Sequence, residues 1–379
     1  DEIKDPEEFC DGPGTVNSSC YDYGFDFGVP SCSAICAFDF TPCVMLGWTS
    51  LSTGIHGKFA DVWMSQSGEI FAAADRGFVG HFDGTHWEED YVGSDSDLQS
   101  IWGTGSQDVF AVGEAGTIAH YDGTSWSLMD VSTTEMLKAV WGRSSTQDYA
   151  GGTNGTVLRY DGTDWKDMSL GFENCVFGIW GWGSNHLVVV GWGSDQAPVR
   201  AFHHDGNAWF FMSEPSVPYT LRDVWGFGPE NIFAVGTNGV LHYDGTEWQF
   251  MNIGDGTHDF WAVWGTDPNN VFAAGNASTI LHFDGKIWSR MYATGGSCFG
   301  GIWGNGSTNV AAVGVLGSGV VTNFTGYGWG DPILQDPSLL HPISGIWGSH
   351  DQEIFMVGSE GTIIHYGPTG WEYMESPAS

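Results

Sequence analysis

The sequence predicts an all-β fold, an eight-bladed β-propeller of four-stranded blades behind a disulfide-rich N-terminal extension. Three observations predict it. The phrases ADVWMS, QSIWGT, KAVWGR, FGIWGW, RDVWGF, WAVWGT, GGIWGN and SGIWGS recur, placing Trp63, Trp102, Trp141, Trp180, Trp225, Trp264, Trp303 and Trp347 at spacings of 39, 39, 39, 45, 39, 39 and 44. A second series (Trp87, Trp126, Trp165, Trp209, Trp248, Trp288, Trp329 and Trp371) follows 23 to 29 residues behind the first. Between the tryptophans, short apolar runs alternate with Gly, Asn and Asp turn pairs, and no long window shows a helical period. Four short strands in roughly 40 residues, repeated, is the signature of a propeller.

Taken in chain order, residues 1–43 read as a separate extension. It opens DEIKDPEEFC, an acidic start that resembles a mature end left after processing, with no visible signal peptide. Five of the seven cysteines lie here: Cys10, Cys20, Cys32, Cys36 and Cys43. The stretch is rich in Gly, Asp, Ser and Pro and builds little core, so disulfides are its natural staple. The cysteine spacings match no zinc signature. Seven is odd, so Cys175 or Cys298 is a candidate partner for the fifth N-terminal cysteine. Disulfides imply an oxidising setting: a secreted, extracellular or cell-surface protein, with the periplasm as a variant.

Residues 44–379 read as the propeller. Its first strand in each unit is the x-I/V-W-G segment, its second resembles DVFAVG, its third GTIAHYDG, and its fourth begins at the second Trp. Flat indoles are expected to fill the widening gap between wedge-shaped blades. Asp83, Asp122, Asp161, Asp205, Asp244 and Asp284 precede a turn glycine and are expected to accept bonds from backbone N–H groups. Residues 47–52 are expected to form an outer strand that covers the edge of the last blade.

Composition narrows the function. Eleven Lys and Arg stand against 46 Asp and Glu, a net charge of −35. Such a chain lacks the cationic surface that nucleic acid requires. No run approaches 18 apolar residues, so no membrane-spanning helix is expected. With 41% apolar residues and 20 Trp, disorder is excluded as well. The GxSxG, HExxH and Walker patterns are absent.

The stretch GTIxHYDGxxW resembles the bacterial Asp-box and Ycf48-type propeller repeats over most of residues 59–375. It departs from the Asp-box form in reading H-Y/F-D-G-T-x-W. Unit seven lacks the Asp (NFTGYGW), and unit eight has Gly367 in its place. The resemblance implies a propeller; its families include sialidases, assembly factors and adhesive binders, so it does not choose a function.

Departures from the repeat are more informative. His81, His120, His203, His242, His282 and His365 share one third-strand position, with Arg159 and Asn323 in the other two units. They are spread round the ring and cannot converge on one ion, so a structural hydrogen-bonding role is expected. No cofactor is expected; calcium is the one ion that the acidic surface would gather weakly. Three residues before the first Trp, the units read Ala60, Gln99, Lys138, Phe177, Arg222, Trp261, Gly300 and Ser344. Lys138, Phe177, Arg222 and Trp261 form an arc of cations and rings, expected at one mouth of the channel. Trp182 and Phe227 are unusual at the other end of the first strand, and the insertion at 192–199 adds Trp192. Exposed rings with Arg suit sugars or a protein hot spot.

The preferred reading is a non-catalytic binding or scaffold propeller that recognises a glycan or protein partner at the cell surface, with assembly through the N-terminal segment. A polysaccharide-acting glycosidase or lyase with its site at the channel mouth is the alternative. A metal-dependent assembly component is the third class.

Overall fold

In a computed structural model of the chain, residues 58–324 are described apart from 172, 194–200, 213–219, 255–257, 278, 293–297, 307–308 and 317–320. Residues 343–348, 354–359, 362–367 and 370–374 follow, and the pairs 14–15, 31–32 and 38–39 precede. The three pairs form a small antiparallel sheet: β1 (Gly14–Thr15), β2 (Ser31–Cys32) and β3 (Phe38–Asp39).

From residue 59 onward the repeat becomes antiparallel four-stranded meanders. The second unit shows the pattern: β4 (Leu98–Gly105), β5 (Asp108–Gly113), β6 (Ile118–Tyr121) and β7 (Trp126–Leu128), each paired with the next. The first strands stand side by side in chain order, and that of the last unit (Ile343–Gly348) contacts that of the first (Phe59–Met64), which closes the ring.

The blade count corrects the sequence expectation. Among the described residues there are seven four-stranded blades, not eight. The repeat at Cys298–Phe324 forms a three-stranded sheet. Residues 325–342, which include the second-series Trp329 of this repeat, lie outside the described residues. The disulfide-rich extension is not supported either. Cys10, Cys20, Cys36 and Cys43 lie outside the described residues, Cys32 is placed only as part of β2, and Cys175 and Cys298 are both free thiols. The proposed covering strand at 47–52 also lies outside the described residues.

The core sits in the seams between units. One cluster joins Trp63, Phe71 and Ala73 to Val109, Ala111 and Ala119 of the next unit; another joins Trp180 and Val188 to Val224, Ile232 and Leu241. Second strands are buried on both faces, as in Ile70–Ala74 and Val109–Gly113, which explains their continuous apolar runs.

The two tryptophan series do different work, which refines the expectation that all of them fill the outer gap. The first-series rings of Trp63, Trp141 and Trp180 lie over the glycine after the next unit's Trp. A Cβ on Gly103 would stand 2.7 Å from the Trp63 ring, and one on Gly226 would stand 2.6 Å from Trp180. At these seams the W-G dipeptide is a knob and the hole for its neighbour's knob, whereas Gly142 faces Asp148 and Gly265 faces Phe227. Second-series rings close the outer seam: the indole N–H of Trp126 donates to Asp90 at 3.3 Å and that of Trp209 to the Met168 carbonyl at 2.6 Å.

Candidate functional site

The first strand of every unit carries a β-bulge near its start. Register shifts occur between Leu137 and Ala139, Val176 and Gly178, Leu221 and Asp223, and Phe260 and Ala262. The skipped residues are Lys138, Phe177, Arg222 and Trp261, the variable position of the repeat. A bulged residue has no partner across the ladder, so its side chain is re-aimed away from the sheet's alternation. The backbone thus presents one free side chain per unit at the same end of the ring, and the sequence varies there without cost to the core.

The structure brings these side chains together in pairs across unit boundaries. Lys138 Nζ lies 5.9 Å from the centroid of the Phe177 ring. The Arg222 guanidinium carbon lies 4.0 Å from the Trp261 ring centroid, and Arg222 also donates to the Phe260 carbonyl at 3.4 Å. Each cation rests on the aromatic face of the following unit, a contact of about 0.5–2 kcal/mol depending on desolvation. Trp261 is 38% exposed. Trp192 ends the second strand of unit four opposite Cys175, near Phe177, and is 47% exposed.

Trp182 and Phe227 do not join this group. They stand at the far end of the first strands and pack into seams. Trp182 stacks on His186 and His203 with centroids 5.1 and 5.0 Å away. Phe227 meets Phe233 at 6.3 Å and covers Gly265.

Two half-buried carboxyls stand on first strands, Asp61 in unit one and Asp223 in unit five beside Arg222. Asp61 accepts from Ser100 Oγ at 2.9 Å and from the Ile101 N–H at 3.1 Å. Asp223 accepts from the Val263 N–H at 2.9 Å. Burial raises both, Asp223 to about 6, against the pull of those bonds. They act as latches between neighbouring first strands.

The histidine column is structural. His81, His120, His242, His282 and His365 lie over a second-strand Phe, with centroids 4.2, 4.4, 4.7, 4.4 and 4.2 Å apart. His120 Nε2 meets Asp108 at 2.9 Å, and His282 Nε2 meets Asn270 at 2.7 Å. Among the described residues, no group of three His, Cys, Asp or Glu could hold a metal ion. The turn aspartates behave as expected: Asp122 Oδ1 accepts from the N–H groups of Thr124 at 2.9 Å and Ser125 at 3.0 Å.

Two features were missed by sequence reasoning. Asp148 stands opposite Gly142, the place held by Ile70, Val109, Leu187, Ile232, Val271, Val310 and Ile354 in the other units. It is fully buried, and neither carboxyl oxygen has a hydrogen-bond partner. Burial, with a smaller contribution from Asp108, pushes its pKa up to about 8. The signal was one acid in an aliphatic column. The second is a cavity of about 250 Å³ between units three and four, lined by residues that include Tyr149 and Arg159. Its signal was the paired replacement of Phe and His at those two positions.

No family model and no curated protein matches the chain. Solved structures do. YCF48 bound to D1 peptide is similar at 16% identity and a TM-score of 0.54, covering 70% of this chain and 92% of that one. YCF48 from Cyanidioschyzon merolae is similar at 14% identity and 0.56, covering 73% and 98%. The C-terminal WD40 domain of Sif2 is similar at 9% identity and 0.63, covering 84% and 99%. At these identities the likeness shows the propeller fold alone.

Proposed function

We propose that the protein is a non-catalytic propeller scaffold that binds a protein partner through the arc of bulge residues. The observation that carries this is the pairing of Arg222 with Trp261 and of Lys138 with Phe177 at one end of the ring. Aromatic and Arg side chains are the usual anchors of a protein hot spot. Here four consecutive units supply them from positions that the core does not constrain. In a chain with 11 bases and 46 acids, two cations on one arc also select the partner's charge. The partner segment is an extended peptide that offers carboxylates to Arg222 and Lys138 and apolar side chains to the exposed Trp261 and Trp192. The D1 peptide in a YCF48 structure of similar fold supports a peptide as the partner class.

The setting we propose is extracellular or cell-surface, supported by the five clustered cysteines. A bacterial source and an Asp-box ancestry fit the repeat. A glycan is the second reading, because Trp261 and Trp192 present flat exposed rings.

The test is to pan the intact protein against a displayed peptide library and a glycan array. Selected peptides should lose at least ten-fold in affinity against Arg222→Ala/Trp261→Ala, while the melting temperature stays within about 2 °C. Glycan hits alone would transfer the site to the second reading. A collapse of stability in the double variant would show that the arc is core, and retention of nothing would sink the proposal.

A further inference from the structure

The cavity between units three and four lies at the opposite end of the ring from the arc. The strand order places it there: its walls come from the third strand of unit three (Arg159), the turn between the first two strands of unit four (Asn185) and the end of that unit's third strand (His204). These segments meet at the end where the first strands finish, whereas the bulges lie where they start.

Arg159 is the key side chain. It occupies the column where six units carry histidine, and its cross-strand neighbour Tyr149 replaces the usual Phe. In four units the histidine of this column meets the residue at the head of the second strand, as with Asp108 for His120 and Asn270 for His282, whereas His242 Nε2 is buried without a partner. In unit three that residue is Gln147, and its amide instead donates to the Ser184 carbonyl of unit four at 2.5 Å. Arg159 Nε is left buried with no hydrogen-bond partner. A buried guanidinium donor without an acceptor is costly, and Arg159 lines the cavity, where a ligand can supply an acceptor.

The other walls define that ligand. Lys166 stands at the rim, 2.9 Å from Asp164 and 3.7 Å from Asp161, both exposed pairs that exchange easily with solvent. The Asp161 carboxylate is engaged by its own turn, accepting from the N–H groups of Thr163 at 3.0 Å and Asp164 at 2.9 Å. His204 is engaged as well, since its Nδ1 accepts from the Gly206 N–H at 3.1 Å. Tyr149 and Met168 supply apolar wall. At about 250 Å³ the space falls below the range of drug-sized pockets, roughly 300–1,000 Å³. A planar guanidinium fork favours a carboxylate, which it grips through two parallel bonds.

We propose that this cavity is a binding site for a small carboxylate, held by Arg159 with Lys166 at its rim. The acid is either a free organic acid or the carboxylate of a peptide. The site is independent of the arc.

The test titrates the intact protein with succinate, with inorganic phosphate, and with one short peptide in free-carboxylate and amidated forms. Calorimetry gives affinity, and the ¹⁵N-resolved Arg159 Nε–H signal gives the place. Binding of succinate or the free-carboxylate peptide should shift that signal. Arg159→His, which restores the residue found in six other units, should cut affinity at least ten-fold with little change in melting temperature. Lys166→Ala should cut it a few-fold, and Arg222→Ala/Trp261→Ala should leave it unchanged. Succinate alone would identify a free acid; the peptide alone, with loss on amidation, would identify a chain terminus. If Arg159→His unfolds, the Nε–H shift in the wild type still decides. Phosphate binding in preference to both carboxylates would overturn the ligand class. An unmoved Nε–H signal with every probe would overturn the site.

Discussion

At the scale of the residue, Asp148 shows how much one side chain can alter. Its neighbours in the repeat column are aliphatic and buried, and it inherits their place with a carboxyl that has no partner. The folded protein therefore keeps the proton to about pH 8, while the unfolded chain releases it near 3.8. Between those values the folded state binds more protons than the unfolded one, so stability falls as pH rises, by up to roughly 1.4 kcal/mol per pH unit. Asp148→Val, the residue at the matching place in unit two, should raise stability at pH 8.5 by about 3 kcal/mol or more. The gain should shrink toward pH 5. Urea melts at the two pH values check it; equal gains at both would mean that the carboxyl is ionised and paired. The same residue scale shows why part of the candidate site was legible. Lys138, Phe177, Arg222 and Trp261 depart from their column, and departure can be seen in sequence. That each cation lies on the following unit's ring could not be seen, because it depends on the angle between neighbouring sheets.

At the scale of the element, the W-G dipeptide is the joint between units. A methyl on Gly226 would meet three atoms of the Trp180 ring at 2.6, 2.7 and 2.8 Å, and the ring is itself 9% exposed and held in a core cluster. Nothing flexible can yield, so overpacking follows. Gly226→Ala should cost about 1–3 kcal/mol. Gly105→Ala, at a position with open space around the new carbon, is the control and should change stability by less than about 0.5 kcal/mol. Similar losses in both would remove the knob-and-hole account. The turn aspartates and the blade number belong to this scale as well. Asp83, Asp122, Asp161, Asp205, Asp244 and Asp284 each close an outer hairpin through their own carboxylates. The tryptophan spacing, 39 to 45 residues, counted eight units. Among the described residues the seventh shows three strands; a missing turn Asp does not decide this, since the eighth unit has Gly367 in that place and keeps four.

At the scale of the whole molecule, these groups set opposite limits on pH. The turn carboxylates are held low by their own threonine hydroxyls and N–H groups, Asp83, Asp122 and Asp244 to about 2. Their stabilisation is present above the ordinary carboxylate range and is lost as pH falls toward 2. Asp223 and Asp148, raised by burial to about 6 and about 8, act the other way and weaken the fold as pH rises. The net charge of −35 adds self-repulsion at neutral pH. Maximum stability should therefore fall near pH 4–5 and decline on both sides, and added salt should raise the melting temperature at pH 8 more than at pH 5. Thermal melts from pH 3 to 9 test this, and a maximum at or above pH 7 would contradict it.

By itself, the sequence determined the repeat, the four-strand meander, the turn aspartates and the positions free to vary, because each is a local pattern recurring at fixed spacing. It did not determine the number of complete blades, the fate of the cysteines, or which unusual side chains share a surface. Trp182 and Phe227 were as irregular as Trp261 on paper, yet they fill seams while Trp261 stands open. Only the tertiary structure separates them, since exposure depends on which end of a strand a residue occupies and on what the neighbouring sheet brings to it. The cavity at Arg159 has the same origin: its walls come from two units, beside a seam where Gln147 donates to the Ser184 carbonyl, a contact between residues 37 apart in the chain.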